Sequence, residues 1–174
     1  MKTTTVAALT AAAALLLPAA AGAHVTLQPR EAAAGSFSKM DVRVPNERDK
    51  RGTIKVDVRL PDGLYFLSYQ RVPGWKATVY KKKLKTPVDL GGFSVDERFT
   101  RVVWTARKPR RDRIAPGQFQ DFPLSVRVPD GAAGTQLVFR AFQTYQGGER
   151  VKWTGAPDSD TPAPRVTLLP KQED

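Results

Sequence analysis

The chain has 174 residues, no cysteine, one histidine and a formal net charge of +11 at pH 7. Without cysteine it cannot use disulfides, thiolate catalysis, zinc–thiolate sites or iron–sulfur clusters, so its chemistry must rest on oxygen and nitrogen groups. The basic excess indicates an affinity for polyanions, although a general role in solubility is the simpler interpretation.

The first residues have the three parts of a secretory signal peptide. A basic start at 1–2 is followed by an apolar run over 6–20 and by the small residues Ala21-Gly22-Ala23. We expect cleavage after Ala23, which makes His24 the first residue of the mature chain. The apolar run is too short for a membrane span of roughly 20 residues, and no later run is long enough. We therefore expect a secreted or periplasmic protein that is soluble and has no transmembrane anchor after processing.

The rest of the chain alternates apolar and polar residues between turn-forming residues, which is the pattern of short β-strands. The segment 53–60, for example, alternates up to the turn Pro61-Asp62-Gly63. The predicted strands cover 25–27, 36–44, 53–60, 64–69, 75–80, 98–105, 119–128, 136–145 and 150–153, with a final edge strand at 165–169. About nine short strands at this spacing predict an all-β fold, a sandwich of two sheets.

The predicted organisation has three parts. Residues 1–23 are the signal peptide, and residues 24–155 form a single sandwich domain. Residues 156–174 are rich in proline and aspartate, which predicts an irregular C-terminal tail with a possible edge strand.

A histidine that begins a chain can bind one metal ion through both its α-amine and its Nδ1. Cu(II) prefers such nitrogen ligands and has the highest affinity among the divalent first-row metals. Cu(I) would prefer sulfur, and Met40 is the only methionine that remains after processing. His24 is thus a candidate Cu(II) ligand, the alternative being an ordinary exposed terminal residue.

Two nitrogens do not complete a copper site, so further ligands are needed. The candidate carboxylates are Glu31, Asp41, Glu47 and Glu97, each of which is otherwise a solvated surface group. The tryptophans Trp75, Trp104 and Trp153 are by default packing residues whose indole N–H finds a partner.

Five motifs follow one another along the mature chain and together form a specific pattern. They are His24-Val25-Thr26-Leu27-Gln28-Pro29, Arg43-Val44-Pro45-Asn46-Glu47-Arg48, Val72-Pro73-Gly74-Trp75-Lys76, Pro116-Gly117-Gln118-Phe119 with Phe122, and Val151-Lys152-Trp153-Thr154-Gly155. In this order they resemble the YcnI-like copper-binding proteins over nearly the whole mature chain.

The resemblance implies an immunoglobulin-like β-sandwich that binds Cu(II) through a monohistidine brace. Such a brace uses the amine and imidazole of the first mature residue, a glutamate, and a tryptophan over the metal. His24 matches the histidine and Trp153 the tryptophan. For the glutamate, the spacing before the Trp153 motif favours Glu97, and the more distinctive motif around Glu47 makes Glu47 the competitor.

Family members are thought to be extracytoplasmic copper chaperones, and many continue into a membrane anchor, which is not expected here. We therefore expect a copper chaperone or copper-homeostasis factor, not an enzyme, with the copper ion and other extracytoplasmic copper-handling proteins as partners. Oxidative enzymes of the polysaccharide monooxygenase type use a second histidine, which this chain lacks. Nor does it have an internal histidine for a serine–histidine triad.

The alternative is a polyanion- or cell-wall-binding sandwich without a metal. It would use two basic clusters, Lys81-Lys82-Lys83 with Lys85 and Arg107 to Arg113, both predicted to lie in loops. Neither cluster is interleaved with aromatic residues, so no nucleic-acid partner is expected.

Overall fold

The computed structural model describes residues 24–172, so the predicted signal peptide at 1–23 lies outside the described residues. Within them the strands are β1 (Thr26–Gln28), β2 (Glu31–Ala33), β3 (Phe37–Pro45), β4 (Thr53–Arg59), β5 (Leu67–Tyr69), β6 (Trp75–Asp89), β7 (Ser94–Ala106), β8 (Phe119–Arg127), β9 (Gln136–Val138), β10 (Arg140–Tyr145), β11 (Arg150–Trp153) and β12 (Arg165–Leu169). No helix in this part of the chain is long and apolar enough to cross a bilayer.

Two larger sheets pack face to face and enclose the core. One has the strand order β11-β10-β4-β7-β6 and the other β1-β3-β8-β5. The ring of Phe122 on β8 contacts the ring of Trp104 on β7 at 4.9 Å and that of Trp75 on β6 at 5.0 Å. The predicted all-β sandwich is thus confirmed, with twelve strands in the described residues instead of about nine.

The core forms because alternate residues of a strand point to opposite faces of its sheet. On β4, Val56 and Val58 are fully buried, and on β8 so are Phe122 and Val126. Burial of each such side chain contributes roughly 1.5–3 kcal/mol to stability. The alternation that predicts the strands therefore also fixes which residues form the core.

Strands β6 and β7 form a hairpin that is much longer than predicted. The lysines of the cluster at 81–85 lie within β6 and not in a loop, because the chain stays paired with β7 up to the pair Asp89 and Ser94. The turn uses Gly91 and Gly92, whose positive φ angles of 81° and 117° strongly favour glycine. The second basic cluster, from Arg107 onward, forms turns as predicted.

The predicted C-terminal strand at 165–169 is present as β12, but it is not an edge strand and it belongs to the fold. Strand β12 is the middle strand of a three-stranded sheet with the order β2-β12-β9. Its Val166 and Leu168 are 0% and 1% exposed and belong to the core. The physical reason is that β2, which the alternation did not predict, provides a parallel partner for β12.

Candidate metal centre

His24 and Trp153 meet at one edge of the sandwich. His24 precedes β1, an outer strand of the four-stranded sheet, and Trp153 ends β11, an outer strand of the five-stranded sheet. Their ring centroids are 5.6 Å apart and the ring planes are inclined by 56°. Trp153 is buried and His24 is half-buried. An ion held by the imidazole would therefore lie beside the indole and stay reachable from solvent.

A fully buried glutamine holds the indole of Trp153. The Nε1–H of Trp153 donates to Oε1 of Gln143 at 3.0 Å. The side-chain nitrogen of Gln143 donates to the carbonyl oxygen of Pro45 at 2.8 Å and to Oγ1 of Thr53 at 2.7 Å. The amide of Gln143 thus connects the indole to the end of β3.

The register of β1 and β3 places the Pro45–Arg48 motif beside His24. Thr26 pairs with Arg43 in an antiparallel ladder. Because each step along one strand is matched by a step back along the other, continuing this ladder puts His24 opposite Pro45. Glu47 follows two residues later, at the same end of the sandwich as His24.

A buried asparagine fixes the main chain just before Glu47. Asn46 is 2% exposed, and its side-chain nitrogen donates to the carbonyl oxygens of Arg51 at 2.9 Å and Ile114 at 2.8 Å. Its side-chain oxygen accepts a hydrogen bond from the main-chain N–H of Arg48 at 2.9 Å. Glu47 is therefore carried by a loop with a defined conformation.

Tyr145 is a buried residue at the end of β10. Burial raises the pKa of the Tyr145 hydroxyl above its usual value, and the charges of Glu149 and Glu47 raise it further, while Arg48 lowers it. The Arg48 guanidinium lies over the Tyr145 ring at 5.2 Å from its centroid. Tyr145 is two residues from Gln143 on β10, next to the network that holds Trp153.

Glu97 lies far from His24 and Trp153. Cross-strand pairing puts Trp153 level with Val102 of β7, three strands away. Glu97 is five residues beyond Val102, which corresponds to a separation of about 20 Å from Trp153 at ordinary sheet spacings. Its carboxylate forms an ion pair with Lys81 at 3.2 Å. The structure brings His24 and Trp153 together and does not bring Glu97 to them.

The other two carboxylate candidates have structural positions of their own. Glu31 lies on β2 opposite Thr167, and Asp41 on β3 accepts a hydrogen bond from Lys39 at 3.2 Å. Across residues 24–172, no three histidine or acidic side chains form a group that could hold a metal.

A cavity of about 310 Å³ opens beside His24. Its lining includes Arg30, Gln136, Arg165 and Thr167. The guanidinium of Arg165 donates to the carbonyl oxygen of Gly155 at 3.1 Å. The imidazole thus borders a polar space large enough for water or a small ligand.

Comparison with known proteins identifies the family. The model of a domain of unknown function, DUF1775, matches residues 24–168. The chain belongs to the DUF1775 family. A family relative, the copper-binding protein CutI of Bacillus subtilis (strain 168), is 35% identical over 144 residues, which is 83% of this chain and 61% of CutI. The chain thus spans less than two thirds of the length of this relative, and the resemblance to the YcnI-like family is confirmed.

A solved structure supports the fold of this DUF1775 member. A protein from Nocardia farcinica, described as having an immunoglobulin-like fold, is 32% identical with a TM-score of 0.65. The match covers 83% of this chain and 97% of that chain. The predicted immunoglobulin-like class is therefore confirmed.

Two residues of this site were missed by the sequence reasoning. Gln143 is a polar residue at an inward position of β10, between the buried Ala141 and Tyr145. Such a residue must have hydrogen-bond partners, because an unpaired buried amide is costly. Asn46 lies in a motif that was quoted, yet its burial depends on the distant Ile114.

Proposed function

We propose that this protein binds Cu(II) outside the cytoplasm, with His24 as the first residue of the processed chain. The imidazole of His24 and the α-amine freed after Ala23 are two of the ligands. Glu47 supplies the carboxylate, in preference to Glu97, and Trp153 covers the metal. The observation that carries this proposal is the contact between the His24 and Trp153 rings.

The chemistry of the available groups fits Cu(II). An imidazole, an amine and a carboxylate are nitrogen and oxygen donors of the kind that Cu(II) accepts. Cu(I) would favour thioether sulfur, but Met40 is 0% exposed in the core and cannot reach the site. The name of the Bacillus subtilis relative, a copper-binding protein, supports the same metal.

We assign the protein a role in copper handling and not in catalysis. Its predicted signal peptide and a binding site at the start of the mature chain suit a chaperone or homeostasis factor. The copper ion is then the cargo, which other extracytoplasmic copper-handling proteins deliver or receive. The open cavity beside His24 gives such a partner's ligands a path to the ion.

The test is a Cu(II) titration of protein that begins at His24. We expect about one tight site in the parent and its loss in His24→Ala. Arg30→Ala is the matched control, because Arg30 borders the same cavity but its protonated guanidinium has no lone pair for a metal. Equal copper affinity in His24→Ala and the parent would refute the proposal.

Polyanion binding is the second candidate function, and the outer face of the five-stranded sheet favours it. Cations on this face are Lys55, Arg59, Lys76, Arg101, Arg140, Arg150 and Lys152. The carboxylate of Asp57 lies among them and pairs with Arg101 at 2.7 Å. The guanidiniums of Arg59 and Arg150 lie over the ring of Phe142, 5.0 and 4.4 Å from its centroid, and this contact restrains them on the face.

Heparin chromatography in a salt gradient tests this second function. A charge-reversed triple variant of Arg59, Arg140 and Lys152 should elute at clearly lower salt, because fewer counterions are released on binding. Reversal of Lys81, Lys82 and Lys83 on the hairpin is the matched control, with a smaller expected effect. An equal or larger effect of the hairpin variant would assign the binding to the hairpin and contradict a role for the sheet face.

A further inference from the structure

Gln143 is a buried polar side chain that connects Trp153 to Pro45, two residues before Glu47. It is 0% exposed and lies on the inward face of β10. Its oxygen accepts from the indole of Trp153, and its nitrogen donates to Pro45 and Thr53. Both N–H groups and the oxygen have partners, so the orientation of this amide is fixed by three hydrogen bonds.

A buried amide is demanding, because it costs free energy unless every polar atom is satisfied. An unbranched apolar side chain such as methionine would occupy a similar volume without needing partners. What methionine could not do is fix the rotation of the Trp153 ring or hold the carbonyl of Pro45. The amide therefore supplies orientation, a property that burial alone does not provide.

The main chain that Gln143 holds leads directly to Glu47. The carbonyl of Pro45 accepts from Gln143, and the N–H of the next residue, Asn46, donates to the carbonyl of Gln118 at 2.9 Å. The carbonyl of Asn46 in turn accepts from Gly117 N–H at 2.9 Å. Three consecutive main-chain groups before Glu47 are thus fixed, the first of them by Gln143.

We propose that Gln143 is a positioning residue that holds the Trp153 indole and the Pro45–Glu47 segment in one fixed relation. It does not touch the metal itself. His24 contacts the Trp153 ring, and the β1–β3 ladder, continued two residues beyond Thr26, runs toward Pro45, so a single amide sets the spacing of the groups around the imidazole. The expected effect of Gln143 on copper affinity rests on the proposed function. Its effect on the orientation of Trp153 and of the Pro45–Glu47 segment in the apoprotein does not.

The test compares Gln143→Met with Thr53→Val in protein that begins at His24. Gln143→Met removes all three bonds of the amide, whereas Thr53→Val removes only the third of them, together with the hydrogen bond between Thr53 and Tyr145. Outer-shell partners of metal ligands typically contribute ten- to a hundredfold to affinity. We expect Gln143→Met to weaken Cu(II) binding by about tenfold or more and to change the Cu(II) electron paramagnetic resonance spectrum. Thr53→Val should lower the melting temperature but leave affinity and spectrum near the parent values.

A second readout needs no copper. In the apoprotein the indole N–H of Trp153, assigned with Trp153→Phe, should exchange slowly with solvent in the parent and in Thr53→Val, and fast in Gln143→Met. The indole N–H should also exchange fast in Gln143→Asn, whose side chain is polar but one methylene shorter. This variant replaces Gln143→Met in the experiment if the methionine variant does not fold. Parent-like exchange and copper binding in folded variants would overturn the proposal. If the indole N–H exchanges fast in Gln143→Met but His24→Ala still binds copper like the parent, the positioning role of Gln143 stands and only the proposed copper site is refuted.

Discussion

The ring of His24 lies 5.6 Å from the ring of Trp153, so the start of the described chain meets the end of β11. The contact joins the two residues of the candidate site that are furthest apart in sequence. It also brings an outer strand of each large sheet to the same place. The predictions below test which groups around this contact bind metal and which support the fold.

Replacing Trp153 by phenylalanine tests whether its ring covers the metal. Quenching of tryptophan fluorescence by Cu(II) should be smaller in Trp153→Phe than in the parent. The variant should also lose about 1–3 kcal/mol of unfolding free energy, because Oε1 of Gln143 loses its donor. Trp75→Phe is the control, since Trp75 is equally buried, at 6% exposed, but packs on Phe122. If quenching were reduced only in Trp75→Phe, the ring near the metal would be that of Trp75 and not that of Trp153.

The two candidate glutamates can be separated by neutralising each one. Glu47→Gln should weaken Cu(II) binding by at least about tenfold, because it removes a charged ligand from the end of the molecule that holds His24. Glu97→Gln should leave the affinity unchanged, because Glu97 pairs with Lys81 on the distant hairpin. Calorimetric titration of both variants measures this difference. The reverse ranking would show that the register argument for Glu47 is wrong.

Alkaline pH should destabilise the fold partly through Tyr145. Burial raises the pKa of this hydroxyl in the folded state, and the unfolded value is about 10. Below pH 10 both states keep the proton; above it the unfolded state loses its proton first, so the free energy of unfolding falls as the pH rises. Urea unfolding between pH 8 and 11 should show a shallower fall in Tyr145→Phe than in the parent. The exposed Tyr69→Phe is the control, and an equal slope in parent and Tyr145→Phe would contradict this role.

The C-terminal strand should be required for stability. Leu168→Ala should lower the free energy of unfolding by about 2–5 kcal/mol, as expected for a leucine 1% exposed in the core. Leu169→Ala, at a position 39% exposed, is the matched control with a much smaller expected effect. Chemical denaturation measures both. Similar small losses at the two positions would show that β12 is dispensable.

The fold was largely predictable because alternation reports directly on burial. Segments such as Thr53–Arg59 alternate and become strands with one buried face. Strand β12 was placed at an edge because its neighbour β2 is only three residues long and rich in alanine, which leaves too little pattern to detect. Short strands that are stabilised mainly by pairing with other strands are therefore missed when only the local sequence pattern is used.

The site was only partly predictable because it depends on strand register. His24 and Trp153 were found by motif, but spacing along the chain pointed to Glu97, which β10 and β4 separate from β11. Glu47 becomes the better candidate only when the register of β1 and β3 is continued beyond Thr26, which leads His24 toward Pro45. Gln143 could have been suspected as a polar residue on an apolar face, but its partners come from three other segments.

In the proposed site copper binding requires the free amine of His24, and electron paramagnetic resonance reports on that nitrogen. Protein that begins at His24 should be compared, with one equivalent of Cu(II), to protein with a six-residue glycine–serine extension before His24, which keeps the new terminal amine from chelating the same ion together with the imidazole. The first should show hyperfine coupling to the amine and imidazole nitrogens, and selective ¹⁵N labelling of His24 should alter both couplings. The extended protein should lose the amine coupling and most of its affinity. Identical spectra and affinities for the two proteins would show that the α-amine of His24 is not a copper ligand.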